Sequence, residues 1–190
     1  MSVAVAVRKG RALVLAADTQ ESFGDRRVLR PDHASSKIRR VGSSCIAQTG
    51  WGLYDNILGD YLAKAGTPRL RSEREVFAFF NRFWKRMRRE YSFVNDQSVG
   101  EDKTPFADLD ATFLVVNADG IFHVTSQMSV LRFHRFDAIG SGACYALGAL
   151  HAIHDGPLRA EEIARRACLA AVHFDVSCGG DLDVAVLKAR

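Results

Sequence analysis

A chain of 190 residues, 47% hydrophobic and 25% charged, is long enough for a sizeable core and has the balance of a globular protein rather than a disordered, collagenous or disulfide-stapled one. The net charge of +4 permits acidic partners without indicating nucleic acid, and no apolar run approaches the roughly 20 residues of a membrane span. Cys45, Cys144, Cys168 and Cys178 show no CxxC or metal-finger spacing and are expected as reduced thiols. With no leader before the first apolar run, the expected location is the cytoplasm.

Residues 2–7 (SVAVAV) and 11–17 (RALVLAA) are strand-length apolar runs joined by RKG, whose glycine marks a hairpin turn. Both runs are almost continuously apolar, which predicts a hairpin covered on both faces. Residues 18–36 are polar and irregular, with Gly24 and Pro31; residues 37–50 (KIRRVGSSCIAQTG) read as two short strands about a Gly-Ser turn. Helices follow over 52–64 and 73–94. The second opens on a capping box, Ser72 and Glu75, and spaces Phe77, Phe80, Trp84, Met87 and Tyr91 as an apolar stripe.

Residues 95–109, with Gly100 and Pro105, read as a loop or the end of that helix. ATFLVVN (111–117) and IFHVTS (121–126) form a second hairpin, and 130–142 reads as one strand ending in a glycine-rich turn. Helices over 143–153 and 160–173 and a strand over 182–188 close the chain. Strands, two helices, strands, two helices and a strand, without repeat or linker, predict one domain over residues 1–190. Its expected class is α+β, a four-layer αββα sandwich of two antiparallel sheets between helical layers.

Two charged features have ordinary explanations. Lys85, Arg86, Arg88 and Arg89 in WKRMRRE lack a base-reading motif, so a solvated helix face or a contact between subunits is expected rather than nucleic acid. His151 and His154 stand three apart on one helix with no carboxylate or cysteine obviously beside them, and are expected as plain surface residues, not metal ligands.

Chemistry enters at the first strand. Removal of Met1 would give Ser2 both a hydroxyl and a free α-amine. A hydroxyl needs an adjacent base, and an α-amine with a pKa of about 7.7–8.0 is partly neutral near pH 7. Asp18 ends the second strand, which an antiparallel hairpin returns beside Ser2; Lys37 opens the next strand; IGSG (139–142) puts Ser141 on a tight turn before a helix.

This order and spacing resemble the proteasome β-type subunits of the N-terminal nucleophile hydrolases, close in size and style to HslV. Asp18, sixteen residues after Ser2, falls at the family's aspartate; KIRR (37–40) matches the segment with its lysine, after about three extra loop residues. AIGSG (138–142) matches the Gly-Ser-Gly turn. DVSCGG (175–180) resembles D-x-x-S-G-G, with Asp175 on the aspartate and Cys178 where serine is usual.

The family nucleophile is usually threonine, and the segment AQTGWGLYD (47–55) replaces a small, glycine-rich run; these departures resemble the betaproteobacterial proteasome homologue and Anbu branches more than HslV itself. The resemblance implies a self-compartmentalising peptidase acting on peptides or unfolded protein inside stacked homo-oligomeric double rings, with no cofactor or metal, and it leaves room for an unfoldase ATPase partner. Implied site residues are Ser2, Asp18, Lys37, Ser141, Asp175 and Cys178, with an oxyanion donor at Gly50 or Trp51 and Glu21 in the substrate pocket. A non-catalytic ring scaffold or a small-molecule amidase on the same fold are the alternatives.

Overall fold

SVAVAV alternates in size as well as in direction. In the computed structural model, which describes residues 2–30, 32–91 and 109–190, β1 (Ala4–Lys9) turns Val5 and Val7 toward a helical layer and Ala4 and Ala6 toward a second sheet. Strand pleating sends successive side chains to opposite faces, so the alternation builds two interfaces from one run. β2 (Ala12–Asp18) pairs antiparallel with β1, Ala4 opposite Ala17.

The sheet order is β10-β1-β2-β11, with β10 (Phe136–Ile139) beside β1 and β11 (Leu182–Lys188) beside β2. The facing sheet runs β5-β6-β7-β8-β9: β5 (Ile38–Val41), β6 (Ser44–Gly50), β7 (Ala111–Asn117), β8 (Gly120–Val124) and β9 (Val130–Phe133). Among the described residues, the strand pairings are antiparallel. Helices α1 (Leu53–Ala65) and α2 (Glu73–Glu90) cover the outer face of the five-stranded sheet; α3 (Ala143–Ile153) and α4 (Ala160–Phe174) cover the outer face of the four-stranded one. The αββα sandwich expected from the order of elements is the observed architecture.

Local chemistry sets the boundaries. Ser72 caps α2, its hydroxyl accepting from the Glu75 N–H at 3.2 Å, while Glu75 Oε2 accepts from the Arg71 N–H at 2.8 Å. The apolar stripe of α2 differs from the expected one. Val76, Phe79, Phe80, Phe83 and Met87 are its buried residues, whereas Phe77 is 48% exposed and Trp84 only partly buried. At about 100° per residue, positions 76, 79, 80, 83 and 87 centre on the sheet, leaving 77 on the flank. The expected helical residues 92–94, and all of the expected loop over 95–109 except Leu109, lie outside the described residues.

Three further expectations are corrected. The irregular stretch 18–36 contains a short hairpin, β3 (Glu21–Phe23) with β4 (Arg26–Val28). The single strand over 130–142 is two strands, β9 and β10, in different sheets, because the chain crosses the sandwich at His134–Arg135. His154 is buried rather than superficial: its Nε2 lies 2.9 Å from the Arg8 carbonyl and its Nδ1 3.0 Å from Asp155, tying the end of α3 to β1. On the basic face of α2, Arg86 pairs with Glu90 and Arg88 lies over the Trp84 ring, so part of that charge is spent within the helix. Among the described residues, no helix is long and apolar enough to cross a membrane.

Candidate active site

Ser2 precedes β1 and is buried. Its carbonyl accepts from the Gly142 N–H at 3.3 Å and the Ser141 hydroxyl at 3.4 Å, and its N–H donates to Ser141 Oγ at 3.2 Å. The turn that makes these contacts needs glycine. Gly140 has φ +96°, and a Cβ there would intrude on the Ser2 carbonyl oxygen.

Asp18, at the end of β2, is wholly buried. Its Oδ1 accepts from the Val3 N–H at 3.0 Å and from Lys37 Nζ at 2.8 Å; its Oδ2 accepts from the N–H groups of Gly179 at 3.0 Å and Gln20 at 3.3 Å. Three backbone donors and the Lys37 salt bridge offset the desolvation of this buried carboxylate. Lys37, with 9% side-chain exposure, also donates to the Gln20 carbonyl at 2.6 Å. One carboxylate thereby fixes the amide after Ser2, the lysine and the 175–180 turn together.

That turn follows α4. Asp175 accepts from the Ser177 N–H at 2.9 Å and from Cys178 Sγ at 3.4 Å. Burial pushes the Asp175 carboxyl up, but hydrogen bonds from Ser141, Ser177 and Cys178 outweigh it and hold the group below the usual carboxylate range. Burial, then the charges of Asp18 and Asp175, push the Cys178 thiol up to about 12, so at neutral pH it is a protonated donor rather than a nucleophile.

The two positions expected for an oxyanion donor separate cleanly. The Gln48 N–H donates to Lys37 O on the β5 side of β6, and the Trp51 N–H donates to Asp110 O at 2.8 Å on the opposite side. Trp51 is therefore corrected: its N–H is committed to the main chain. Strand alternation turns the Gly50 N–H to the β5 side, two residues past the Gln48 bond to Lys37. Gly50 has φ +110°, and a Cβ there would strike Asp110 O.

Glu21 begins β3, next to the Gln20 carbonyl that holds Lys37; its Oε1 accepts from the Ser35 hydroxyl at 3.2 Å. Ser2, Asp18, Lys37, Ser141, Asp175 and Cys178 thus form one linked cluster, and Glu21 stands beside it in the chain.

Sequence reasoning missed Gln20. It is buried, donates from Nε2 to Val176 O at 3.0 Å and to Ser22 Oγ at 3.2 Å, and offers its carbonyl to Lys37. Thr19 joins it, its hydroxyl donating to Asp181 O at 2.9 Å. The one available signal was the placement of two polar residues directly after a strand covered on both faces.

The sandwich that sets a buried serine between a lysine–aspartate pair and a Gly-Ser-Gly turn is of the N-terminal nucleophile hydrolase type. The comparisons narrow this. No family model matches the chain. A solved structure described as Thiobacillus denitrificans BPH is 32% identical, covers 99% of this chain and 98% of its own, and superposes with a TM-score of 0.88. The ATP-dependent protease subunit HslV of Roseobacter denitrificans is 29% identical over 191 residues, covering 97% of this chain and 92% of that protein. Trypanosoma brucei HslV, 24% identical with a TM-score of 0.66, shares the fold. The chain belongs to the HslV-like, proteasome β-type family of peptidases.

Proposed function

We propose that the chain is a single-domain, self-compartmentalising peptidase of the cytoplasm whose nucleophile is Ser2 after removal of Met1. The observation that carries this reading is the burial of Ser2 between the Asp18–Lys37 salt bridge and the Ser141–Asp175–Cys178 group.

Ser2 Oγ attacks the peptide carbonyl, forming a C–O bond, and its proton passes to its own α-amine. The Gly50 N–H donates to the oxyanion that develops, usually among the largest contributions to such catalysis. Collapse breaks the C–N bond, and the protonated amine gives its proton to the leaving nitrogen. Water then hydrolyses the ester, with the amine again taking the proton, and Ser2 is restored. Lys37 beside the amine disfavours a second positive charge there and so favours the neutral base. Ser141, Asp175 and Cys178 orient the amine and the attacking water, and Glu21 faces the substrate pocket and favours basic side chains.

The substrate is peptide or unfolded protein, met inside stacked homo-oligomeric double rings that exclude folded chains. An unfoldase ATPase partner accords with the name of the Roseobacter relative, an ATP-dependent protease subunit. The test is turnover of fluorogenic peptides by the parent and by Ser2→Ala. Loss of the alcohol is expected to cut kcat by roughly a thousandfold or more. Equal turnover by the two would refute Ser2 as nucleophile, and turnover of simple amides but not peptides would point to the amidase alternative.

A further inference from the structure

Trp51 is among the large apolar side chains left in the open, 42% exposed, yet its backbone is held from both directions. Its N–H donates to Asp110 O at 2.8 Å; its carbonyl accepts from Gln48 Nε2 at 3.0 Å and from the Tyr54 N–H at 3.1 Å. Its ring meets that of buried Tyr54 edge-on, centroids 6.0 Å apart and planes at 82°. The residue that grips its carbonyl, Gln48, donates its own N–H to the carbonyl of Lys37. Trp51 also directly follows Gly50, whose N–H faces that same side. The backbone beneath this exposed indole is therefore held to β6, the strand that ends at Gly50 and bonds to the Lys37 carbonyl through Gln48.

Folding gains little from an aromatic ring left half in water. A ring with only two side-chain torsions and a locked backbone, however, presents contact area to a ligand at small entropic cost. We propose that Trp51 is a specificity-determining residue, an apolar clamp that packs against an aromatic or large aliphatic side chain of the peptide close to the bond being cut. This rests on the peptidase reading above and adds to it a preference and the residue responsible. The clamp is distinct from Glu21, which lies in β3, on a different segment of the chain.

Two measurements test it. The first compares fluorogenic peptides that differ only in whether the residues flanking the cleaved bond are alanine or phenylalanine, on the parent, Trp51→Ala and Trp51→Phe. The parent is expected to favour the phenylalanine peptides through KM. Trp51→Ala is expected to lose that preference by about tenfold, the scale of one apolar contact, and Trp51→Phe to keep most of it. An unchanged preference in Trp51→Ala overturns the proposal.

The second needs no turnover. The sequence has two tryptophans, so Trp84→Phe in a Ser2→Ala background leaves Trp51 as the sole indole. Addition of the phenylalanine peptide is expected to shift its emission to the blue, and the alanine peptide to shift it far less. Emission that ignores peptide but follows protein concentration would place the indole against a neighbouring copy and overturn the clamp. A peptide-dependent shift in a protein whose parent cleaves nothing would retain the clamp and refute the peptidase reading, so the two failures are distinguishable.

Discussion

The two helical layers are built from opposite kinds of residue. Between α1–α2 and the five-stranded sheet the core is aromatic: Tyr54, Tyr61, Phe79, Phe80, Phe83, Phe113 and Phe122 are buried, with Phe80 and Phe113 centroids 4.8 Å apart. Between α3–α4 and the four-stranded sheet it is small: Ala146, Ala160, Ala164, Ala167 and Ala171 pack against Val3, Val5 and Val7. Small side chains let α4 lie close on β1 and β2, and the 175–180 turn that follows it is thereby brought to Asp18. At Gly142 the fit is so close that a Cβ would collide with Ala171 Cβ and Cys178 Sγ. Bulk on one side supplies stability of a generic kind, while smallness on the other sets the geometry of the cluster around Ser2.

The largest effect that would sharpen this contrast is expected at Phe80, which is fully buried among three other aromatic rings. Phe80→Ala should cost about 3–5 kcal/mol in denaturant unfolding. Below its lowered Tm the variant should keep the parent's peptide turnover. Loss of turnover in a fully folded variant would mean that the aromatic layer shapes the site after all.

Ala171→Leu attacks the other layer. Overpacking there should cost about 1–3 kcal/mol, less than the loss of Phe80. It should nonetheless reduce kcat, because the added carbons meet Gly142 and push on the 175–180 turn. If Ala171→Leu were destabilised yet turned over peptide like the parent, close packing of α4 would not be what sets the site.

The smallest effect concerns pH. Asp175 titrates below its ordinary range in the folded protein despite the opposing push of burial, through hydrogen bonds from Ser141, Ser177 and Cys178. Its charge therefore adds stability that is present above the unfolded value of about 3.9 and is lost as pH falls through the lower folded value. Asp175→Asn should flatten that part of the acid unfolding curve and leave stability near pH 7 to 9 without new pH dependence. An unchanged acid limb in the variant would remove Asp175 from the account.

Most of the sandwich was legible because its signals are local. SVAVAV-RKG-RALVLAA states a doubly covered hairpin by composition, Ser72 and Glu75 mark the start of α2, and LDVAVLK coincides with β11. The sequence failed where the third dimension decides. Phe77 keeps helical spacing but lies off the buried face, and VLRFHRFDAI changes sheets without a glycine or proline to mark the crossing. The candidate site residues were legible as a family pattern, since Ser2, Asp18, Lys37 and Ser141 hold familiar spacings. Gln20 was not, because its contribution runs through a main-chain carbonyl and a buried amide that any polar residue could have supplied on paper. Between Gly50 and Trp51 the sequence leaves the choice open, because the commitment of the Trp51 N–H to Asp110 O depends on where β7 pairs with β6.

The most direct measurement is the intact mass of the purified full chain, before and after exposure to an electrophile whose capture requires a hydroxyl and an adjacent free α-amine together. Epoxomicin is the first to try, since a structure described as Thiobacillus denitrificans BPH in complex with it is 31% identical to this chain. Loss of one methionine followed by one adduct per chain, absent in Ser2→Ala, is the predicted result. A methionine-free chain that takes up no adduct, or an adduct that persists in Ser2→Ala, would contradict the assignment of Ser2 as the nucleophile.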